Sequence, residues 1–340
     1  MKTPQAPRSG AWRCELKGTN DPYCSVAEAF EGATSKTAGS KSQLSNALCE
    51  LVGDLERNTS LYEPDRLRER IEALDQFDVF NLEMIPAGTD STVAAVYRRA
   101  RAIQARLEAA NFKVYEAIRR DLTLGRGAQS LLDWVPSSDT FERVPGLKKD
   151  EAYNYLDEFL DGVFRFEQPG RVIVQPTAEM VFYQPTPARH IFDLLDRTAL
   201  TEHDLLIDLG SGLGHVPLLT CICTRARSVG VEIEPGYVDS ARQCAETLNL
   251  KGVTFIQQDA RAANLTEGTV FYLYTPFTGK TLRAVLDSLR CEGANRDIRV
   301  CTLGPCTMSV ANEDWLEAVG SARTDRISIF RSSNGCCSKR

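Results

Sequence analysis

The stretch Leu205-Leu206-Ile207-Asp208-Leu209-Gly210-Ser211-Gly212-Leu213-Gly214 constrains the fold more than any other part of the chain. An apolar run ends in an acid and passes into three glycines at alternate positions. Eighteen residues past Gly214 a second apolar run, Val229-Gly230-Val231, closes on Glu232. A buried strand, a tight glycine turn, a helix and a second strand ending in a carboxylate make half of a nucleotide-binding α/β unit. The glycines let the backbone turn sharply and approach a ligand, and an acid at the second strand tip suits a ribose diol. The nicotinamide fingerprint is Gly-x-Gly-x-x-Gly. This turn is Gly-x-Gly-x-Gly, with His215 where that third glycine would fall.

Downstream, elements alternate at 204–209, 214–226, 228–233, 235–249, 253–257, 269–275, 279–289, 298–303, 312–319 and 326–331. Such alternation predicts a doubly wound α/β domain, a mostly parallel sheet with helices on both faces. The preceding residues read differently. Residues 1–41 are rich in Gly, Ser, Thr, Pro and Lys without a period, and are expected to form a flexible arm. Behind Ser42 as a cap, Leu44, Ala47, Leu48, Leu51, Val52 and Leu55 fall at helical spacing. Pro64 is expected to open a second helix carrying Leu67, Ile71 and Leu74, and Asp90 to cap a long third one reaching Ile118. Gly125 to Gly127 breaks that pattern, and residues 149–163 supply another amphipathic helix. An all-helical N-terminal domain is therefore expected over 42–166, a sheet domain over 167–331, and a tail over 332–340. Arg171 to Val174 reads as a strand, and Pro187 as the start of a helix through Ile191, Leu194 and Leu195.

The glycine turn resembles the first motif of the class I, seven-strand S-adenosylmethionine-dependent methyltransferases. Val253 to Ala260 resembles the third strand of that family, ending in an adenine-contacting acid, and Thr269 to Phe277 resembles its fourth strand and catalytic-edge loop. Tyr183-Gln184-Pro185-Thr186-Pro187, with Asp-Leu-Gly-Ser-Gly at 208–212 and Gly-Val-Glu-Ile at 230–233, is nearest in wording to the lysine methyltransferases on this fold, including the non-SET histone-lysine type. The asparagine-phenylalanine wording of that subgroup's fourth motif is absent. The resemblance implies a Rossmann-like seven-strand sheet whose last strand, Arg326 to Arg331, inserts antiparallel.

The same resemblance implies the site. Asp208 and the turn Gly210, Ser211, Gly212 and Gly214 would surround the methionine end of S-adenosylmethionine, with amides of the following helix favouring its carboxylate. Glu232, followed by Ile233, would accept both ribose hydroxyls. Asp259 would accept from the adenine amino group with Ala260 facing the ring, and Thr186 would close over the cofactor. Tyr183, Tyr274, Pro276 and Phe277 are the candidate catalytic wall. Methyltransferases acting on adenine or glutamine carry Asn/Asp-Pro-Pro-Tyr/Phe where this chain reads Tyr274-Thr275-Pro276-Phe277. Thr275 in place of the amide or acid counts against a planar nitrogen, and an aromatic slot suits an amine. Plainer uses are open for each: a helix-cap acid, a solvated strand end, an Asx-turn, or core packing at the strand end. His215 is expected at a helix start bonded to backbone, and His190 and His203 at the surface or helix ends.

Net charge is −6 with pI near 5.4, so no overall field draws the chain to nucleic acid or anionic lipid. Arg98, Arg99, Arg101, Arg106, Arg119 and Arg120 read as a solvated helix face. No apolar run reaches signal-peptide or membrane-spanning length, which makes the cytoplasm the expected setting. The 11 cysteines include no Cys-x-x-Cys pair, and three scattered histidines make no metal set, so free thiols and no metal are expected. The expected activity is methyl transfer to an amine, with a protein lysine as one acceptor. A small-molecule O- or N-methyltransferase with the helical domain as lid is the alternative. A binding module without turnover is a further one.

Overall fold

The computed structural model describes residues 39–82, 90–136, 153–167, 179–181 and 183–333. Residues 1–38 of the expected arm, the strand expected at Arg171 to Val174 and the end of the tail lie outside the described residues. The chain divides into two compact units, 1–115 and 116–340. This division falls fifty-one residues ahead of the boundary at 166 that the sequence suggested.

In the first unit, helix α1 spans Gly39–Arg57 and begins before the expected Ser42 cap. A 3-10 turn, Thr59–Tyr62, follows, and Pro64 sits in the link to α2, Leu67–Asp78, rather than at its first turn. Helix α3 is a single run, Ser91–Thr123, and Asp90 caps it by accepting the Thr92 amide at 2.8 Å. Leu48, Val52, Leu55, Phe77, Ile103 and Leu107 belong to one buried cluster, as their helical spacing requires. Beside it lies Arg70, 1% exposed, its guanidinium bonded to an amide and backbone carbonyls rather than to a carboxylate among the described residues. Its guanidinium donates to Asn111 Oδ1 at 2.6 Å, Leu61 O at 2.9 Å and Glu63 O at 2.6 Å. A buried cation is tolerated only when its donors are matched in this way. The arginines of α3 are also used internally: Arg99 pairs with Glu56, Arg101 donates to Leu82 O, and Arg106 lies 4.3 Å over the Tyr62 ring.

The second unit holds α4 (Gly127–Leu132), α5 (Tyr155–Phe164) and α6 (Ala188–Thr198), then the sheet. Asn154 and Asp157 form a capping box at the start of α5. The strands are β1 Leu205–Leu209, β2 Arg227–Glu232, β3 Val253–Gln257, β4 Val270–Tyr274, β5 Arg299–Leu303, β6 Leu316–Ala318 and β7 Ser328–Ser332. They lie in the order β3-β2-β1-β4-β5-β7-β6. The first five are parallel, and β7 enters antiparallel between β5 and β6. The element expected at 312–319 is instead a short helix, Cys306–Ala311, followed by the three-residue edge strand β6. β1 is buried along its whole length, as a strand with neighbours on both edges and helices on both faces must be. Its register places Asp208 opposite Gly230 on β2 and Tyr272 on β4, toward the carboxyl ends of the central strands.

Candidate active site

The strand order reverses between β1 and β4, and an open α/β sheet binds ligands in the crevice beyond the carboxyl ends of its strands at such a point. A cavity of about 1190 Å³ lies there. Pockets for small molecules run to about 300–1,000 Å³, so it holds a nucleotide-sized ligand and more. Asp208, Gly210, Ser211, Glu232, Ile233, Asp259 and Ala260 line it from the β1–β3 tips, and Tyr183, Thr186, Tyr274, Pro276 and Phe277 also line it.

The glycine turn is shaped by what presses on it. Gly212 has φ +51°, and a Cβ there would fall 1.9 Å from the Tyr183 ring. At Gly210, φ +92°, the same atom would fall 2.3 Å from Pro276. Only glycine fits either place. The Gly210 and Ser211 amides donate to Val231 O at 2.8 and 3.1 Å, locking the turn to β2. Ser211 Oγ is buried with no hydrogen-bond partner among the described residues.

Glu232 does not hang free at its strand tip. Its Oε2 accepts the Gly212 amide at 2.8 Å, and Oε1 accepts the Ile233 and Glu234 amides at 2.7 and 2.9 Å. A carboxylate offers about four lone-pair sites. One remains while all three amides stay bound, so two hydroxyls require the Gly212 amide to yield. Asp208 is 4% exposed, and burial followed by the nearby Glu232 charge pushes its carboxyl well above the usual range. Asp259 accepts the Arg261 amide at 2.9 Å in an Asx-turn and holds the Arg261 guanidinium at 2.6 Å. That bonding keeps its carboxyl below the usual range.

Tyr183 stands 4.7 Å from the Tyr237 ring, a contact with no signature in the sequence. Its hydroxyl has no hydrogen-bond partner among the described residues. The Thr186 hydroxyl meets the Tyr272 hydroxyl at 3.1 Å, and the Tyr274 hydroxyl donates to Gln184 Oε1 at 3.4 Å. Burial pushes the phenols of Tyr183, Tyr272 and Tyr274 above their ordinary range. They stay protonated at neutral pH and take no proton from a substrate. Phe277 is 6% exposed and belongs to the core as well as to the cavity wall. Thr275 has φ +40°, strained for a β-branched residue. Its hydroxyl donates to Leu303 O and accepts the Cys306 amide, each at 3.1 Å, tying the β4 tip to β5.

Glu179 was not foreseen. Its carboxylate accepts the Lys280 and Thr281 amides at 3.0 and 2.9 Å, and Met180 bridges Phe277. The segment before the helix is thus fastened to the catalytic-edge loop. His190 lies in the first turn of α6, the helix end expected of it, and also lines the cavity, where burial with the Arg189 charge pulls it down to about 4. His215 does begin a helix, His215–Cys223, but instead of a backbone partner it is 9% exposed beside the Phe164 and Phe166 rings, with Nε2 3.6 Å from Asp161, contacts that come from residues distant in sequence. The cysteines described are free thiols, and no group of metal-ligating residues occurs among the described residues. No described helix is long and apolar enough to cross a membrane.

Residues 177–261 match the family model described as histone methylation protein DOT1. A relative named as an uncharacterized RNA methyltransferase from Lactiplantibacillus plantarum is 35% identical over 86 residues. That match covers 24% of this chain and 18% of the relative, so the chain spans about a fifth of the length of the curated relative it matches. Among solved structures, the chain is similar to an RNA methyltransferase from Salinibacter ruber in complex with S-adenosyl-L-homocysteine. Identity there is 26%, coverage is 44% of this chain and 92% of that chain, and the TM-score is 0.34. It is also similar to a precorrin-6y C5,15-methyltransferase from Geobacter metallireducens, at 16% identity, 45% and 92% coverage, and a TM-score of 0.35.

Proposed function

We propose that this chain, an S-adenosylmethionine-dependent methyltransferase of the seven-strand class, transfers a methyl group to an amine nitrogen, with a protein lysine as the favoured acceptor. The observation that carries the reading is Thr275. Its hydroxyl is tied to Leu303 O and the Cys306 amide, toward β5, so the side chain does not offer the amide or acid that orients a planar nitrogen. Tyr183, Tyr274 and Pro276 form instead a wall of rings, which suits an amine stripped of water. The match to the histone methylation family over residues 177–261 supports the same acceptor.

The orphaned Ser211 hydroxyl and the acids at three strand tips support these residues as the holders of the methyl donor: Asp208, Gly210 and Ser211, with the adjoining Gly212 and Gly214, for the methionine end, Glu232 and Ile233 for the ribose, Asp259 and Ala260 for the adenine, and Thr186 closing over it. Bound there, S-adenosylmethionine supplies an electrophilic methyl carbon open to in-line attack, and the acceleration comes from alignment. The chain's task is to hold a nitrogen lone pair on that line. An ammonium has no lone pair, the buried phenols cannot remove its proton, and His190 at about 4 is too weak a base to keep it. On this reading the acceptor enters as the neutral amine. Activity is expected to rise from neutral into alkaline pH as free amine becomes more abundant. Tyr274→Ala should cut kcat by about tenfold or more, the scale on which misplacing a reactant slows an aligned reaction, with S-adenosylhomocysteine affinity little changed.

A second reading, methylation of RNA, is favoured by the likeness to a relative of that name. A labelled methyl donor added with the protein to a lysate separates these. Label in protein, stable to base and released as methyl-lysine, supports the proposal. Label recovered in RNA, or as an ester or ether of a small molecule, overturns it, and no label anywhere points to a module without turnover. The cytoplasm is the proposed setting, consistent with the free thiols.

A further inference from the structure

The cavity has two halves. One lies over the β1, β2 and β3 tips, where Asp208, Glu232 and Asp259 stand. The other lies over β4, β5 and the turn into β7, lined by Tyr274, Gly304, Pro305 and Thr324. Helix α6 reaches this second half: Arg197 donates to Ile327 O at the start of β7, and His190 feels the charges of Asp325 and Arg326.

Charge in the second half is unbalanced. Asp325 lines it, but Arg323 holds that carboxylate in a two-pronged pair at 2.9 and 2.7 Å. Glu179, at the rim, is occupied by backbone amides. Arg189, from the first turn of α6, also lines the cavity, and its Nε is buried with no hydrogen-bond partner among the described residues. It makes no ion pair among the described residues either. A buried guanidinium N–H left unmatched is costly unless an acceptor arrives to meet it. Its planar fork matches a carboxylate with two parallel bonds.

We infer that Arg189 is a specificity residue: the acceptor amine carries a carboxylate close to the reacting nitrogen, and Arg189 receives it. This rests on the amine reading given above. The carboxylate has two possible sources, an Asp or Glu beside the target lysine of a protein, or the carboxyl group of a free amino acid. A lysine embedded among cations is repelled by Arg189, because the one acid that lines this half, Asp325, is already held by Arg323.

The experiment uses the full chain, labelled S-adenosylmethionine, and peptides with one central lysine flanked by acidic, neutral or basic residues, with free L-lysine as the small-molecule arm. For the wild type, kcat/KM should be at least about tenfold higher on acid-flanked than on base-flanked peptides, the factor that one charged hydrogen bond supports. Arg189→Ala should lose that advantage. Arg189→Glu should reverse it, an outcome a merely structural role would not produce. Binding of S-adenosylhomocysteine, followed by calorimetry, should stay within about twofold in both variants, since the loss lies outside the β1–β3 half. Transfer to free L-lysine that depends on Arg189, with none to peptides, supports the inference and names the small-molecule source. Equal use of all peptides, or an undiminished preference in Arg189→Ala, overturns this inference while the amine reading stands. Refusal of every amine by a protein that binds S-adenosylhomocysteine overturns both.

Discussion

Arg70→Ala should destabilise the first unit by at least about 1–3 kcal/mol, the cost of leaving buried polar groups unsatisfied. The change leaves the Asn111 side chain and the Leu61 and Glu63 carbonyls without their donor and opens a cavity among packed helices. Domains hold only about 5–15 kcal/mol in total, so much of the unit's stability is at stake. Chemical denaturation followed by circular dichroism would check it. A loss below about 1 kcal/mol would mean that water replaces the guanidinium without penalty. Burial already presses the Arg70 guanidinium below its ordinary pKa, against the charges of Glu69 and Asp65.

Glu232→Ala should weaken S-adenosylhomocysteine binding by about 1–3 kcal/mol, roughly five- to 150-fold, because a buried hydroxyl loses its acceptor. The three amides now on its carboxylate add a second effect. With the carboxylate gone the Gly212 amide loses its tether, so a fall in melting temperature without any ligand should accompany the affinity loss. Glu232→Gln separates the two, since one amide oxygen can keep part of the turn while offering fewer acceptors to a diol. Calorimetry and thermal unfolding of all three proteins decide the matter. Unchanged affinity in the alanine variant would remove Glu232 from the site.

Much of the sheet was legible because its signals are local. The β1 run, the glycine turn and the acid at 232 are neighbours in sequence and remain neighbours in space, so pattern and structure agree. The antiparallel β7 followed from the family resemblance, and β6 escaped because three residues carry no period. The first helix cluster was legible through Leu48, Val52 and Leu55, whereas Arg70 was not: its partner Asn111 lies 41 residues away. The same reason hid Glu179 on the 280–281 amides, Tyr237 against Tyr183, and His190 beside Asp325. Each is a polar or aromatic side chain whose environment is assembled by the fold, and no window of residues contains it. The division after residue 115 left no mark in the sequence because the long helix Ser91–Thr123 runs through it without a break in periodicity.

Thr275 bears on how such an enzyme could change its substrate. A threonine at φ +40° is held against its own backbone preference by two hydrogen bonds, whereas asparagine is at home in that region. Asparagine is also the residue that orients planar nitrogens in the adenine and glutamine enzymes this loop resembles. On the amine reading proposed above, a drift toward amide selectivity at this position would run downhill in backbone energy, opposed by the tie to β5.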